Sequence, residues 1–459
     1  MFGFYFSRER QKLYPQPWRV IALASYALLA LWALVDGLSW WESSHEILAG
    51  MPAQEAAARE SWFDDLRKAE SGEEVAPYTA RPMGLSMQAI LEPGELAALS
   101  HQSESMYPHT AILSGWRNEA SLFRRYEVEG PSVLRSGRLD LLFVVTVFFP
   151  LFVLLLSYDV LSQERESGRL RVFLVQGGSP SLLLLARLLA VCLPLLVCSV
   201  ICVVIAAVWS GTALPVTAIW LFTMGVYAVF WAAIAALIAV LFQKMSSGAL
   251  AVLAAWAVFV VFIPSTSQFL AQAIHPVPSR VAYLTQARDA EAAARRNVAQ
   301  RAEVFMAEHP GLEDSPDEAV PGYYRSAYLA NLEVNERTKV LVEALEEQQS
   351  AQRSFVSVAQ LISPPLLVQN VLRNAAGSGP YRAAEFRSQA RAHLNLLLEA
   401  IGPATVNQQR LSSSQAQAIP LFTFDKPRLR SSLIFELGWV LVSSALCAWF
   451  VRMRLSTLN

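Results

Sequence analysis

Six stretches of the chain are apolar at nearly every position, and the segments between them are either very short or very long. Residues 19–38, 139–157, 181–209, 214–242, 247–263 and 431–451 are each long enough, taken with their flanks, to cross a ~30 Å hydrocarbon core as a helix. Apolar residues on every face, rather than along one stripe, leave such a helix no aqueous side. The two long segments, 39–138 and 264–430, read differently. They are polar inserts with apolar residues spaced as in amphipathic helices, for example Ile47, Leu48, Trp62, Phe63 and Leu66. Ala287–Glu308 and Ser326–Phe355 are rich in Ala, Glu, Arg, Gln and Leu, which predicts long helices. The acidic, Pro- and Gly-bearing Pro310–Pro321 separates them. The predicted fold is an all-α polytopic membrane protein with about six transmembrane helices and two mainly helical inserts.

The short segments set the orientation. Basic residues crowd the tail 1–18, the loop 158–180, the turn at Lys244 and the tail 452–459. With six spans these four segments fall on one side, so the positive-inside rule makes both termini cytoplasmic and both inserts extracytoplasmic. Arg135, Arg138, Arg428 and Arg430, at the outer ends, run against that rule. Phe2, Phe4, Tyr5 and Phe6 with Arg8, Arg10 and Lys12 make the N-terminal segment an interfacial amphipathic helix. The run from Val20 to Val35 is too long for a cleavable signal and reads as a retained anchor. Pro194 falls inside the third span, where it loosens the backbone.

Composition sharpens this picture. Charged residues make up 16% and hydrophobic residues 54% of the 459, whereas a soluble domain carries about 25% charge. A net charge of −1 offers nothing to nucleic acid. All four cysteines fall in predicted spans, so neither insert can be stapled by a disulfide. No G-x-x-x-x-G-K-[ST] phosphate loop occurs, so the chain is not expected to be an ATPase or to bind ATP.

The loop 158–180 is compact, charged and of mixed sign, with Asp159, Glu164, Arg165, Glu166, Arg169 and Arg171. A purely topogenic loop needs no acids, so these charges are expected to meet a partner. The pattern Tyr158-Asp159-x-x-Ser162-x-Glu164-Arg165-Glu166-x-Gly168-x-Leu170-Arg171, followed by Ser179 and Ala186-Arg187, resembles the first cytoplasmic loop of ABC-2 type transporter permeases. Leu96-Ala97-Ala98-Leu99-Ser100 with Ser105-Met106-Tyr107-Pro108, and Leu134 to Asp140, are similar to one branch of that family. So are Leu361-Ile362-Ser363-Pro364-Pro365-Leu366, Gln369-Asn370 and Ala375-Ala376-Gly377, in a second extracytoplasmic domain without an assigned function. The resemblance implies a permease of the bacterial cytoplasmic membrane, working with a second permease copy or a paralogue. Cytosolic ATPase subunits would hold the ATP and Mg. Asp159, Glu164, Arg165, Glu166, Gly168, Arg169 and Arg171 would form the coupling helix that rests in the ATPase.

Three acids, Asp36, Asp140 and Glu436, are expected at the outer ends of spans, where they can line an exit or reach interfacial water. Met83, Met87, His101, Met106 and His109 are soft ligands without fixed spacing; they would hold copper only if they converge. Cys198 and Cys202, four residues apart on one helix, read as packing residues. Trp62, Phe63, Trp116 and Phe123 in the first insert, and Leu361, Leu366, Leu367, Val368 and Phe386 in the second, suggest that the inserts bury them against each other. Two rivals to a transporter stand beside it: an ATP-driven transducer acting on an extracytoplasmic partner protein, and a copper-maturation subunit.

Overall fold

The computed structural model describes residues 2–13, 15–123, 139–277, 280–309, 319–427 and 432–456. It is a helical, multi-pass membrane protein. Among the described residues six helices are long and apolar enough to span a bilayer: Pro17–Glu70, Leu141–Glu166, Pro180–Ser210, Leu214–Leu241, Met245–Ile274 and Ile434–Ser456. They are called here the first to sixth spans. The Arg135, Arg138, Arg428 and Arg430 positions, and Gly311 with most of the break 310–321, lie outside the described residues.

The first span is longer than its apolar run. Pro17 opens it at a position that needs no N–H, and the helix continues unbroken for 54 residues. Beyond the aromatic pair Trp40 and Trp41, the helix passes through Gly50 and Pro52, and the alanines Ala53, Ala56, Ala57 and Ala58 that follow favour its continuation past the apolar run. Gly37 lets the first insert come close: a Cβ there would sit 1.9 Å from the Ala98 carbonyl oxygen. The fifth span likewise runs on past Ile263 to Ile274.

Two spans contain π-turns, Val144–Phe148 in the second and Ala257–Phe262 in the fifth, each followed closely by a proline. Pro150 has no N–H to return to Thr146, and Pro264 none to return to Phe259 one π-turn back. In lipid the freed carbonyls must be met by other helices. Tyr227 Oη donates to Thr146 O at 2.8 Å, Trp256 Nε1 to Val147 O at 3.0 Å, and Ser363 Oγ to Phe259 O at 2.9 Å.

The inserts form one module. A hairpin of β1 (Ser86–Ile90) and β2 (Thr110–Ser114) adds a small sheet to the helices, with Gln88 opposite Ile112. Met87, Ala89, Ala111 and Leu113 face inward by the two-residue alternation of strands. They join Phe63 and Leu66 of the first span in a core completed by Phe305, Tyr328, Phe386, Leu394, Leu397 and Ile401 of the second insert. The aromatic residues named from sequence bridge the two: Trp116 meets Tyr324 at 5.5 Å, and Phe123 meets Phe386 at 6.1 Å. Helices Val298–Glu308, Gly322–Ala359 and Pro380–Val406 supply the second insert's share. One expectation is corrected. Leu367 and Val368, on helix Pro364–Ala376, belong to the core of the membrane bundle and not to the inter-insert core. That helix packs on the fourth and sixth spans, and Ser363 at its start holds the fifth.

Candidate functional site

The loop 158–180 begins within the last turns of the second span and folds as two short helices. Ser162–Glu166 ends in a turn at Gly168, whose φ of 71° is left-handed and strained for any other residue, and Arg169–Val175 follows. Ser179 then caps the third span by accepting from the Leu182 N–H at 3.4 Å. Leu170 is buried beneath the loop, and Phe173 meets Tyr5 of helix Phe2–Leu13 edge-on at 5.8 Å. The N-terminal helix thus lies against the loop.

Several of the loop's charges have partners within the chain. Arg165 Nη1 donates to the carbonyls of Ala239 and Phe242, at 3.2 and 3.3 Å, where the fourth span ends. The Glu166 carboxylate accepts from the Met245 N–H, at 2.8 Å, where the fifth begins. A cation on helix carbonyls and an anion on a helix N–H each satisfy orphan backbone groups and suit the helix dipole. Glu164 is buried and pairs with Arg169 at 3.0 Å. Mixed sign therefore also has an internal cause, since these acids have partners within the chain. Exposed on the loop are Glu166, Arg169, Arg171, Val172 and Val175, the last 84% exposed.

Asp159, at the start of the loop, is buried. Its carboxylate takes Arg19 Nη2 of the first span at 2.5 Å and Arg187 Nη2 of the third at 3.2 Å. Arg187 Nη1 also lies 3.6 Å from Glu9 on the N-terminal helix. All four residues are at most 5% exposed. Among the described residues, two cations and two anions thus form a buried knot joining four elements. Sequence reasoning missed Arg19 and Glu9 as site residues and gave Arg187 no role, because basic residues at span ends read as topogenic. The available signal was Arg187 inside an apolar run, where an ionised group needs a partner.

At the opposite, insert end, Asp140 caps the second span, accepting from the N–H of Phe143 at 2.8 Å and of Gln102 at 3.3 Å. Asp36 meets the fully buried His101 at 3.0 Å. Glu436 lies half-buried in the first turn of the sixth span. The five soft ligands are scattered. Met83 and Met87 fill the insert core, Met106 is 69% exposed, and His109 Nδ1 faces the Leu91 carbonyl at 3.1 Å. Among the described residues no three His, Cys, Asp or Glu side chains are placed to share a metal ion.

Glu104, also at this end, is buried against Arg382 at 3.3 Å, and Arg382 donates onward to the Gly377 and Glu92 carbonyls. Burial pushes the Glu104 carboxyl up to about 7 despite the nearby guanidinium. A carboxyl raised in the fold binds more protons folded than unfolded, so its contribution is full below its unfolded value and is lost as pH rises through about 7. Thermal unfolding of the detergent-purified chain between pH 5 and 8 should therefore show a falling component that Glu104→Gln flattens. An unchanged slope in that variant would remove Glu104 from this role.

Residues 280–425 match the family described as a domain of unknown function, DUF3526. The match spans the second insert from helix Arg280–Arg296 to the segment after Ser413–Ala418. No curated protein matches the chain, and no solved structure does.

Proposed function

We propose that the chain is the permease subunit of an ABC-2 type transporter, in which a separate cytosolic ATPase moves a substrate, outward, through the bundle. One observation carries the reading: the loop is wired to nearly every membrane element while keeping one face free. A push on it reaches the first and third spans through Asp159, and the fourth and fifth through Arg165 and Glu166. Its open face joins Arg171 to the apolar Val172 and Val175, a composition suited to a protein groove. On this reading the loop side is cytoplasmic and the inserts are extracytoplasmic. A second permease, homologous or identical, would cover spans that bury little of their surface within this chain. ATP and Mg would belong to the ATPase.

The test is the pair Arg171→Glu and Val175→Asp, which alters the open face and leaves the buried contacts alone. The doubly substituted chain should insert and keep its thermal stability, yet lose co-purification with its ATPase or the ATP hydrolysis that the complex supports. Full retention of both would mean that this face is not the coupling surface.

A transducer acting on an extracytoplasmic partner keeps one observation in its favour. The first span continues as a single helix, through Pro52, into the insert core, so motion near Asp159 has a continuous path to that module. Transport of a substrate by the reconstituted complex would decide against it. The copper reading gains nothing from the placement of the Met and His residues.

A further inference from the structure

The insert module contains a groove that the coupling scheme does not use. It encloses about 680 Å³ between the first span from His45 to Phe63, the outer side chains of β1, and the extended segment Leu421–Lys426. That volume lies within the range of small-molecule sites. The nineteen residues of helix from His45 to Phe63 make it about 27 Å long, a channel more than a bowl. Its helix wall is Leu48, Pro52, Ala56 and Phe63, faced by Ile90 and Leu421.

Most charges at the rim already have partners. Glu60 pairs with Arg67, Glu92 with Lys426, and Arg382 with Glu104. Arg59 differs. It makes no ion pair with Glu55, one turn earlier on the same helix. Its Nη2 reaches the Ile419 and Ala416 carbonyls at 3.2 and 3.5 Å, and its guanidinium stands over the Phe63 ring at 5.5 Å. Its Nη1 is shut off from solvent with no acceptor. Nη1 is not reached from the groove, but the guanidinium lines it and has no carboxylate at ion-pair distance among the described residues, so an anion held in the groove would neutralise it.

We infer that the groove binds a single-chain amphiphile with an anionic head. The acyl chain would lie along Leu48, Pro52 and Ala56, and a carboxylate or phosphate would sit on Arg59, at the end remote from the bilayer. The guanidinium fork suits either head. Hydrophobic contact with the wall supplies most of the affinity, and Arg59 selects the charge. Nothing in this inference depends on the ATPase.

The experiment uses the full chain in nanodiscs of neutral phosphatidylcholine, without ATP. A photoactivatable palmitic acid is cross-linked and its adducts are mapped by mass spectrometry. Saturable adducts are expected within residues 45–63 and 419–426, displaced by palmitate about tenfold better than by hexadecanol, and not by inorganic phosphate. Arg59→Gln should erase the preference for palmitate and leave the hexadecanol displacement unchanged. Glu55→Gln, which removes a nearby negative charge, should strengthen palmitate binding. Because Arg59 also holds the extended segment, Ala56→Trp serves as the second variant: its ring fills the groove and should abolish these adducts, whereas Ala57→Trp, outside the groove, should not. Adducts confined to the membrane spans, or surviving Ala56→Trp, would overturn the site. Equal displacement by palmitate and hexadecanol would overturn the anionic head, and displacement by phosphate alone the acyl chain.

Discussion

Asp159→Asn should be among the most damaging single changes in the chain, costing about 3–5 kcal/mol although it removes only one charge. The substitution leaves Arg19 and Arg187 buried side by side with Glu9 as the one remaining anion. A buried ion pair adds little net stability, but stranding one member of it is expensive, and here two cations would lose a shared acceptor. The sharper expectation concerns the double variant. Arg19→Met with Asp159→Asn leaves Arg187 facing Glu9, a balanced pair, and should recover most of what Asp159→Asn alone loses. Thermal unfolding and membrane yield of the three chains measure this directly. A double variant as unstable as Asp159→Asn would show that the four charges do not act as a unit.

Phe386→Ala should open both inserts at once. Phe386 is fully buried, touches Phe123 of the first insert, and holds Phe422 and Phe424 of the extended segment edge-on. Truncating a buried phenylalanine to alanine costs about 3–5 kcal/mol, partly through the cavity left behind. Since the core draws on both inserts, limited trypsin digestion should release new fragments cut at Arg81 or Arg117 as well as within 319–427. Cleavage gained in the second insert alone would mean that the two fold separately.

The membrane bundle was legible because the property that makes a span is carried by each residue independently. An apolar run such as 141–156 has nowhere to go but lipid. The shared insert core was legible in outline, since Trp116, Phe123 and Phe386 are more aromatic surface than a small polar domain hides alone. What escaped were features that depend on which neighbour a residue meets. Helix Pro364–Ala376 shows an apolar face, but periodicity does not say whether that face meets another insert or a membrane helix. Arg165 and Glu166 look like surface charges until the ends of the fourth and fifth spans are brought beside them. The hairpin strands are five residues each, and their alternation at Met87, Ala89, Ala111 and Leu113 is too short to stand out from helical spacing. Pro150 offered a usable hint: a proline within an apolar run implies an unmet carbonyl four residues earlier, and so a polar side chain on another helix.

The unbroken first helix sets a mechanical gain. Helix geometry gives roughly 48 Å from Ser39 to Glu70 beyond the membrane, against about 15 Å from the bilayer midplane to its surface. Pivoting near the midplane, such a lever magnifies displacement about fourfold, so a shift of about 2 Å at the Arg19 end becomes roughly 8 Å at Glu70. Phe63 and Leu66 sit in the insert core near that tip, so the whole module would swing with it. The groove along His45–Phe63 lies on the moving arm. In the proposed mechanism, small strokes at the membrane's loop side would thereby become large excursions of the insert surface, at a cost in force by the same factor.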